Sequence, residues 1–177
     1  TRNGLLLALE KMGAKIKLLN KRTSNNENIC DIEVLSTNLN GCELGPEIAD
    51  LMIDEYPILS CVAAFAEGKT KFFGVKELRV KESDRIASMV EGLRSCGVSV
   101  EETIDTMTIF GKGHGSVRGG AICKSYLDHR IAMSFLCLGL ASKNKITIDD
   151  ARPIDTSFPI FENLMSKLGA NIKRESI

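Results

Sequence analysis

The chain has 177 residues, 44% hydrophobic and 26% charged, which suits one globular domain with its own core. Its 23 basic residues balance 23 acidic ones, which argues against a dedicated nucleic-acid binder, normally strongly basic. The longest apolar run, residues 131–141, is interrupted by Ser134 and Gly139 and is shorter than the roughly 18 residues a membrane span needs. Neither nucleic acid nor a membrane is therefore an expected partner.

In chain order, LLLALEKMGAKI predicts an amphipathic helix stopped at Gly13 and followed by a short strand. KRTSNNEN, residues 21–28, reads as a polar turn leading into the strand DIEVL. From Asp54, DEYPILSCVAAFAEGKTKFF predicts a mostly apolar helix and then a strand carrying Lys71. LRVKESDRIASMVEGLRSCG, residues 78–97, predicts an amphipathic helix with Lys81 and Arg85 in its first turn and a stop at Gly97. TIFGKGHGSVRGGAICKS has glycines at turn positions between alternating strands and predicts a hairpin. Its glycines fit neither the phosphate-loop register nor the dinucleotide fingerprint, and His114 within it is given no role. Asp128 opens DHRIAMSFLCLGLASKNKIT, again an apolar helix and then a strand marked by Lys145. FENLMSKLGANI closes the series with a helix, a stop at Gly169 and a strand.

These segments repeat. Asp54 and Asp128 are 74 positions apart, Gly97 and Gly169 are 72 apart, and Lys71 and Lys145 each follow their aspartate by 17. A period of about 70 residues divides the chain into units of about 1–48, 54–124 and 128–177. Only the middle unit is whole by this division, and the first residue is Thr, so the chain reads as part of something longer. The six cysteines show no CxxC pair and no metal-type spacing, and four lie in or beside apolar segments. That usage suggests buried thiols in a reducing, cytoplasmic setting, and no targeting tract is visible.

The chemistry gathers at helix starts. Free N–H groups already make a helix N-terminus positive, so Lys81 and Arg85 in one first turn, and Arg130 in another, are oddly placed. An anionic ligand would resolve the crowding, because helix N-termini and arginine forks both bind phosphate and carboxylate. The competing explanation is a solvated face on which Lys81, Glu82, Asp84 and Arg85 satisfy one another. Asp54 is equally readable as a helix cap and as an ionised base facing a substrate hydroxyl. His129 could carry a proton or donate a hydrogen bond.

IDEYPILSCVAAFAEG, ELRVKESDRIASMVEGL, LDHRIAMSFL and TSFPIFENL together resemble the C-terminal part of the 5-enolpyruvylshikimate-3-phosphate synthase family, along essentially the whole chain. The resemblance implies an α/β fold of βαβαββ repeats around a pseudo-threefold axis, with helices inside and sheets outside, here lacking its front end. It implies transfer of the enolpyruvyl group of phosphoenolpyruvate to the 5-hydroxyl of shikimate 3-phosphate, with no metal or organic cofactor, in a step of aromatic amino-acid synthesis blocked by glyphosate. By the same resemblance Asp54 would accept the hydroxyl proton and Glu82 would exchange a proton with the phosphoenolpyruvate methylene. Lys81 would contact shikimate 3-phosphate, Arg85 and Arg130 would clamp phosphoenolpyruvate, and His129 would support them. The partner completing the site would be the N-terminal domain of the same chain, so residues 1–177 alone are expected to be inactive.

Two positions depart from the family pattern. Glu77 stands where some members have Asn, and Thr156 where many have Lys. The rival readings are a transferase with a UDP-sugar acceptor and a non-catalytic βαβαββ module that binds phosphorylated ligands or RNA ends.

Overall fold

The computed structural model describes residues 3–175. Helix α1 (Gly4–Lys11) leads into a long hairpin of β1 (Lys15–Ser24) and β2 (Glu27–Leu35). Next come the short strand β3 (Glu43–Leu44), helix α2 (Pro46–Met52), a 3-10 turn (Ile53–Glu55) and the buried helix α3 (Tyr56–Ala64). Strand β4 (Glu67–Phe73) and a second 3-10 turn (Lys76–Val80) precede α4 (Arg85–Ser95), β5 (Ser99–Glu102) and β6 (Thr106–Lys112). The chain finishes with β7 (Ile122–Cys123), α5 (His129–Ala141), β8 (Thr147–Ile148), α6 (Arg152–Ser157) and α7 (Phe161–Lys167).

Helices α3, α4 and α5 pack together, and their apolar faces make the core: Leu59 from α3, Ile86, Met89 and Leu93 from α4, Ile131 and Phe135 from α5. Each large apolar side chain removed from water there contributes about 1.5–3 kcal/mol. A mixed sheet in the order β3-β4-β6-β5 covers this core with Phe72, Met107 and Ile109, while its other face meets solvent. Tyr56, the first residue of α3, meets Phe72 edge-on with ring centroids 5.1 Å apart, fixing the helix against the sheet. Helices α4 and α5 approach closely at Gly92, where an added Cβ would lie 2.1 Å from Cζ of the buried Phe135 ring. No helix among the described residues is long and apolar enough to cross a membrane.

The glycine stops lie where expected. Gly13, Gly97 and Gly169 have φ of 93°, 86° and 92°, a left-handed geometry that glycine adopts without a Cβ penalty. Elsewhere the structure corrects the sequence reading. The polar run after Lys21 remains strand to Ser24, and the turn is only Asn25–Asn26, with φ of 49° and 62°. Asparagine tolerates that conformation, so a two-residue turn of the hairpin type suffices. The glycine-rich run after β6 does not fold back as a hairpin. It crosses to another sheet, where β7 pairs parallel with β8, and Lys145 precedes β8 rather than lying in it.

The strand expected after Gly169 is absent from residues 170–175. β1 and β5 each have an antiparallel partner in the next strand, and the described residues after Gly169 offer none. That stretch instead returns to α6 and α7, where Arg174 grips Asp155 at 2.9 and 2.5 Å and Glu162 at 2.6 Å.

Candidate functional site

The helix expected over residues 78–97 begins seven residues late. Residues 76–80 form a 3-10 turn, Lys81 is extended, and α4 starts at Arg85 behind Asp84, whose carboxylate accepts the Ala87 N–H at 2.9 Å. An acid therefore caps the helix, as its dipole prefers, and Lys81 lies outside it. The expected crowding of Lys81 and Arg85 in one first turn does not arise. Leu78 misled the pattern: it is buried through the 3-10 turn, eight positions before Ile86, a spacing that also suits a helix.

Arg85 is the centre of the site. Its side chain is 1% exposed, and carboxylates surround its guanidinium. Nε donates to Asp128 Oδ2 at 2.8 Å, Nη1 to Asp54 Oδ1 at 3.0 Å and Nη2 to Glu82 Oε2 at 2.6 Å. Burial alone would lower the Arg85 pKa, but these acids, Asp128 foremost, reverse the effect and hold it above its ordinary value. Asp54 belongs to the 3-10 turn before α3 and Asp128 is the N-cap of α5. One guanidinium thus ties together the starts of three helices.

Arg130 joins the same cluster. Its Nη1 donates to the Asp54 carbonyl at 2.9 Å and to Glu55 Oε1 at 3.2 Å, and Nη2 lies 4.0 Å from Asp54 Oδ2. The Arg130 tip stays partly open to solvent, and Glu82 is 52% exposed, so the cluster has an outer edge. Beside it is an open depression of about 350 Å³ lined by Glu82, Ser83, Asp84, Ala87, Ser88 and Tyr126.

Of the residues singled out from the sequence, Asp54, Glu82, Arg85 and Arg130 come together. Lys81, one position before Glu82, pairs its ammonium with Glu77 rather than with a carboxylate of the cluster. His129 opens α5, half-buried, and its side chain has no hydrogen bond among the described residues. His114 is exposed in the Gly113–Gly115 turn. Thr156 lies on α6, its hydroxyl donating to the Pro153 carbonyl at 3.0 Å. The expected shortage of anions is also corrected, because Asp54, Glu55, Glu82 and Asp128 already face the two arginines.

Asp128 is a site residue that the sequence does not single out, although its repeat partner Asp54 is. It is fully buried and, besides Arg85, accepts from the Arg130 N–H at 2.9 Å and the Ser83 hydroxyl at 3.0 Å. Burial pushes its carboxyl up, but Arg85 and these donors outweigh burial and hold it below the usual aspartate range. A strained turn presents it: Tyr126 and Leu127 have φ of 53° and 56°. The turn is held by the Asp128 N–H on the Ser125 carbonyl at 3.0 Å and the Ser125 N–H on Asp149 at 2.7 Å.

Comparisons with known proteins agree with one another. The family profile described as EPSP synthase (3-phosphoshikimate 1-carboxyvinyltransferase) matches residues 1–165. The 3-phosphoshikimate 1-carboxyvinyltransferase of Dinoroseobacter shibae is 55% identical over 99% of this chain. The chain spans 39% of that relative's length. A solved EPSP synthase from Acinetobacter baumannii superimposes over 99% of this chain and 40% of its own, with a TM-score of 0.94 and 39% identity. The enolpyruvyl transferase NikO from Streptomyces tendae, at 18% identity and TM-score 0.73 over 99% of this chain and 37% of its own, shares the fold. The α/β fold expected from the sequence is the one found, and the chain belongs to the EPSP synthase family.

Proposed function

We propose that this chain is the C-terminal substrate-binding part of a cytoplasmic transferase that joins the enolpyruvyl group of phosphoenolpyruvate to the 5-hydroxyl of shikimate 3-phosphate. Family membership supports the reaction class. The observation that carries the site is the shared Arg85–Asp54–Arg130 network, which joins groups up to 76 positions apart at the starts of α3, α4 and α5.

In this reading Asp54 accepts the proton of the attacking hydroxyl as oxygen adds to C2 of phosphoenolpyruvate. The methylene carbon gains a proton, with Glu82 as the exchanging group. Loss of phosphate and of a methyl proton then leaves the enol ether. Arg85 and Arg130 hold phosphoenolpyruvate, His129 stands beside them and Lys81 meets shikimate 3-phosphate.

The internal acids fit such a cycle. Glu82 is the exposed partner of Arg85, on Nη2, whereas Asp128 and Asp54 hold its other nitrogens from less exposed positions. A substrate carboxylate can replace Glu82 there without leaving a buried guanidinium unpaired, which would be costly. Glu82 is then released beside the carbon it is to serve. A phosphate- or RNA-binding module without catalysis would need the cations but neither Asp54 nor Glu82 beside them. Nothing in the geometry favours a UDP-sugar acceptor.

The test is the full-length protein assayed for phosphate release that requires both substrates. Asp54→Ala should lower turnover by about 10²–10⁴-fold, the usual contribution of an acid–base group. A loss of tenfold or less would reduce Asp54 to a binding residue. Residues 1–177 alone should release no phosphate, because the chain spans 39% of its relative's length and the reading places the opposite wall of the site in the remainder.

A further inference from the structure

Glu77 belongs to none of the roles above, yet it is the one residue that holds Lys81 among the described residues. We propose that Glu77 is a positioning residue for Lys81, presenting the ammonium at a fixed place where the phosphorylated acceptor enters. The proposal rests on the functional reading just given.

The pair is built on a rigid platform. Glu77 belongs to the 3-10 turn of residues 76–80, and both its flanks are pinned. The Lys76 N–H donates to Asp105 Oδ1 at 2.8 Å, tying the turn to the residue just before β6. Leu78 is buried in the core. The Arg79 guanidinium reaches the Ile104 carbonyl at 3.0 Å, the Thr103 carbonyl at 2.5 Å, Glu102 at 2.8 Å and the α4 cap Asp84 at 2.8 Å. Lys81 leaves the turn extended, with φ −86° and ψ −156°, and Glu82 then anchors the chain on Arg85. Backbone on both sides of the pair is therefore fixed before any ligand arrives.

Stability does not explain the pair. Glu77 is 59% exposed, and such surface ion pairs contribute little to folding. The Lys81 side chain is only 21% exposed, however, so its carboxylate partner decides where the ammonium sits. A lysine is a point charge on a flexible stem, and an opposite charge four residues earlier gives it one direction. The same carboxylate competes with the incoming acceptor for Lys81. Glu77 should therefore weaken binding of the acceptor while improving its placement for reaction.

Opposed effects on binding and rate make the test sharp. In the full-length protein, Glu77→Gln should lower kcat about tenfold through lost orientation, while KM for shikimate 3-phosphate falls severalfold. Glu77→Asp, with the charge kept on a shorter arm, should recover part of kcat. In a Lys81→Met background, Glu77→Gln should change neither kcat nor calorimetric affinity for shikimate 3-phosphate, because the coupling partner is gone. Binding completes this cycle even where the Lys81→Met rate is too low to measure.

If the wild-type protein turns over while Glu77→Gln behaves like it, or the two substitutions act independently, the Glu77 proposal is overturned and the functional reading stands. If the wild-type protein converts neither substrate, both are overturned.

Discussion

Arg85 and Lys81 are four positions apart and carry the same charge, yet they occupy opposite settings. Arg85 is buried among three carboxylates from three parts of the chain, and Lys81 sits at the rim with a single exposed partner. The difference teaches that cations near one site divide their work. A buried guanidinium must be matched by fixed acids, so it organises the helices around it. A rim ammonium carries little of the fold, which suits the ligand contact proposed for it.

The largest effect is expected from removing the fixed acid. Asp128→Ala in the full-length protein leaves Arg85 Nε, the Ser83 hydroxyl and the Arg130 N–H without their buried acceptor and should cost about 3–5 kcal/mol in chemical denaturation, as breaking a buried pair does. The acid limb of the stability curve sharpens this. Because Asp128 titrates below the usual aspartate value, its contribution is complete above about pH 4 and is lost as pH falls through the lowered folded value. The substituted protein should lack that part of the acid-induced loss.

A smaller effect is expected where α4 and α5 meet. Gly92→Ala places a methyl group against the Phe135 ring and should cost about 1–3 kcal/mol by overpacking, measured by the shift of the denaturation midpoint. The smallest belongs to the rim. Lys81→Met should change stability by less than about 0.5 kcal/mol, the range of ordinary surface substitutions. A cost like that of Asp128→Ala would abolish the division of labour drawn between the two cations.

Much of this could be read from residue order. The stop glycines and the apolar helices after Asp54 and Asp128 follow from local periodicity and a repeat, whereas the gathering of Asp54, Glu82, Arg85 and Arg130 is what the family resemblance implies. The sequence places the start of α4 too early because burial of Leu78 imitates about two further helical turns, although Asp84 followed by Arg-Ile-Ala-Ser is a readable cap signal. The acids around Arg85 were harder to foresee. Which carboxylate meets a guanidinium 31 or 43 positions away depends on how helices pack, and spacing along the chain does not encode it.

The two left-handed residues before Asp128 carry a consequence of their own. Tyr126 and Leu127 both bear side chains where glycine would relax the backbone, so that corner behaves as a compressed spring held shut by its neighbours. A softer corner would let the α5 cap drift, and with it the aim of every group that Asp128 grips. Tension there trades ease of folding for accuracy of aim.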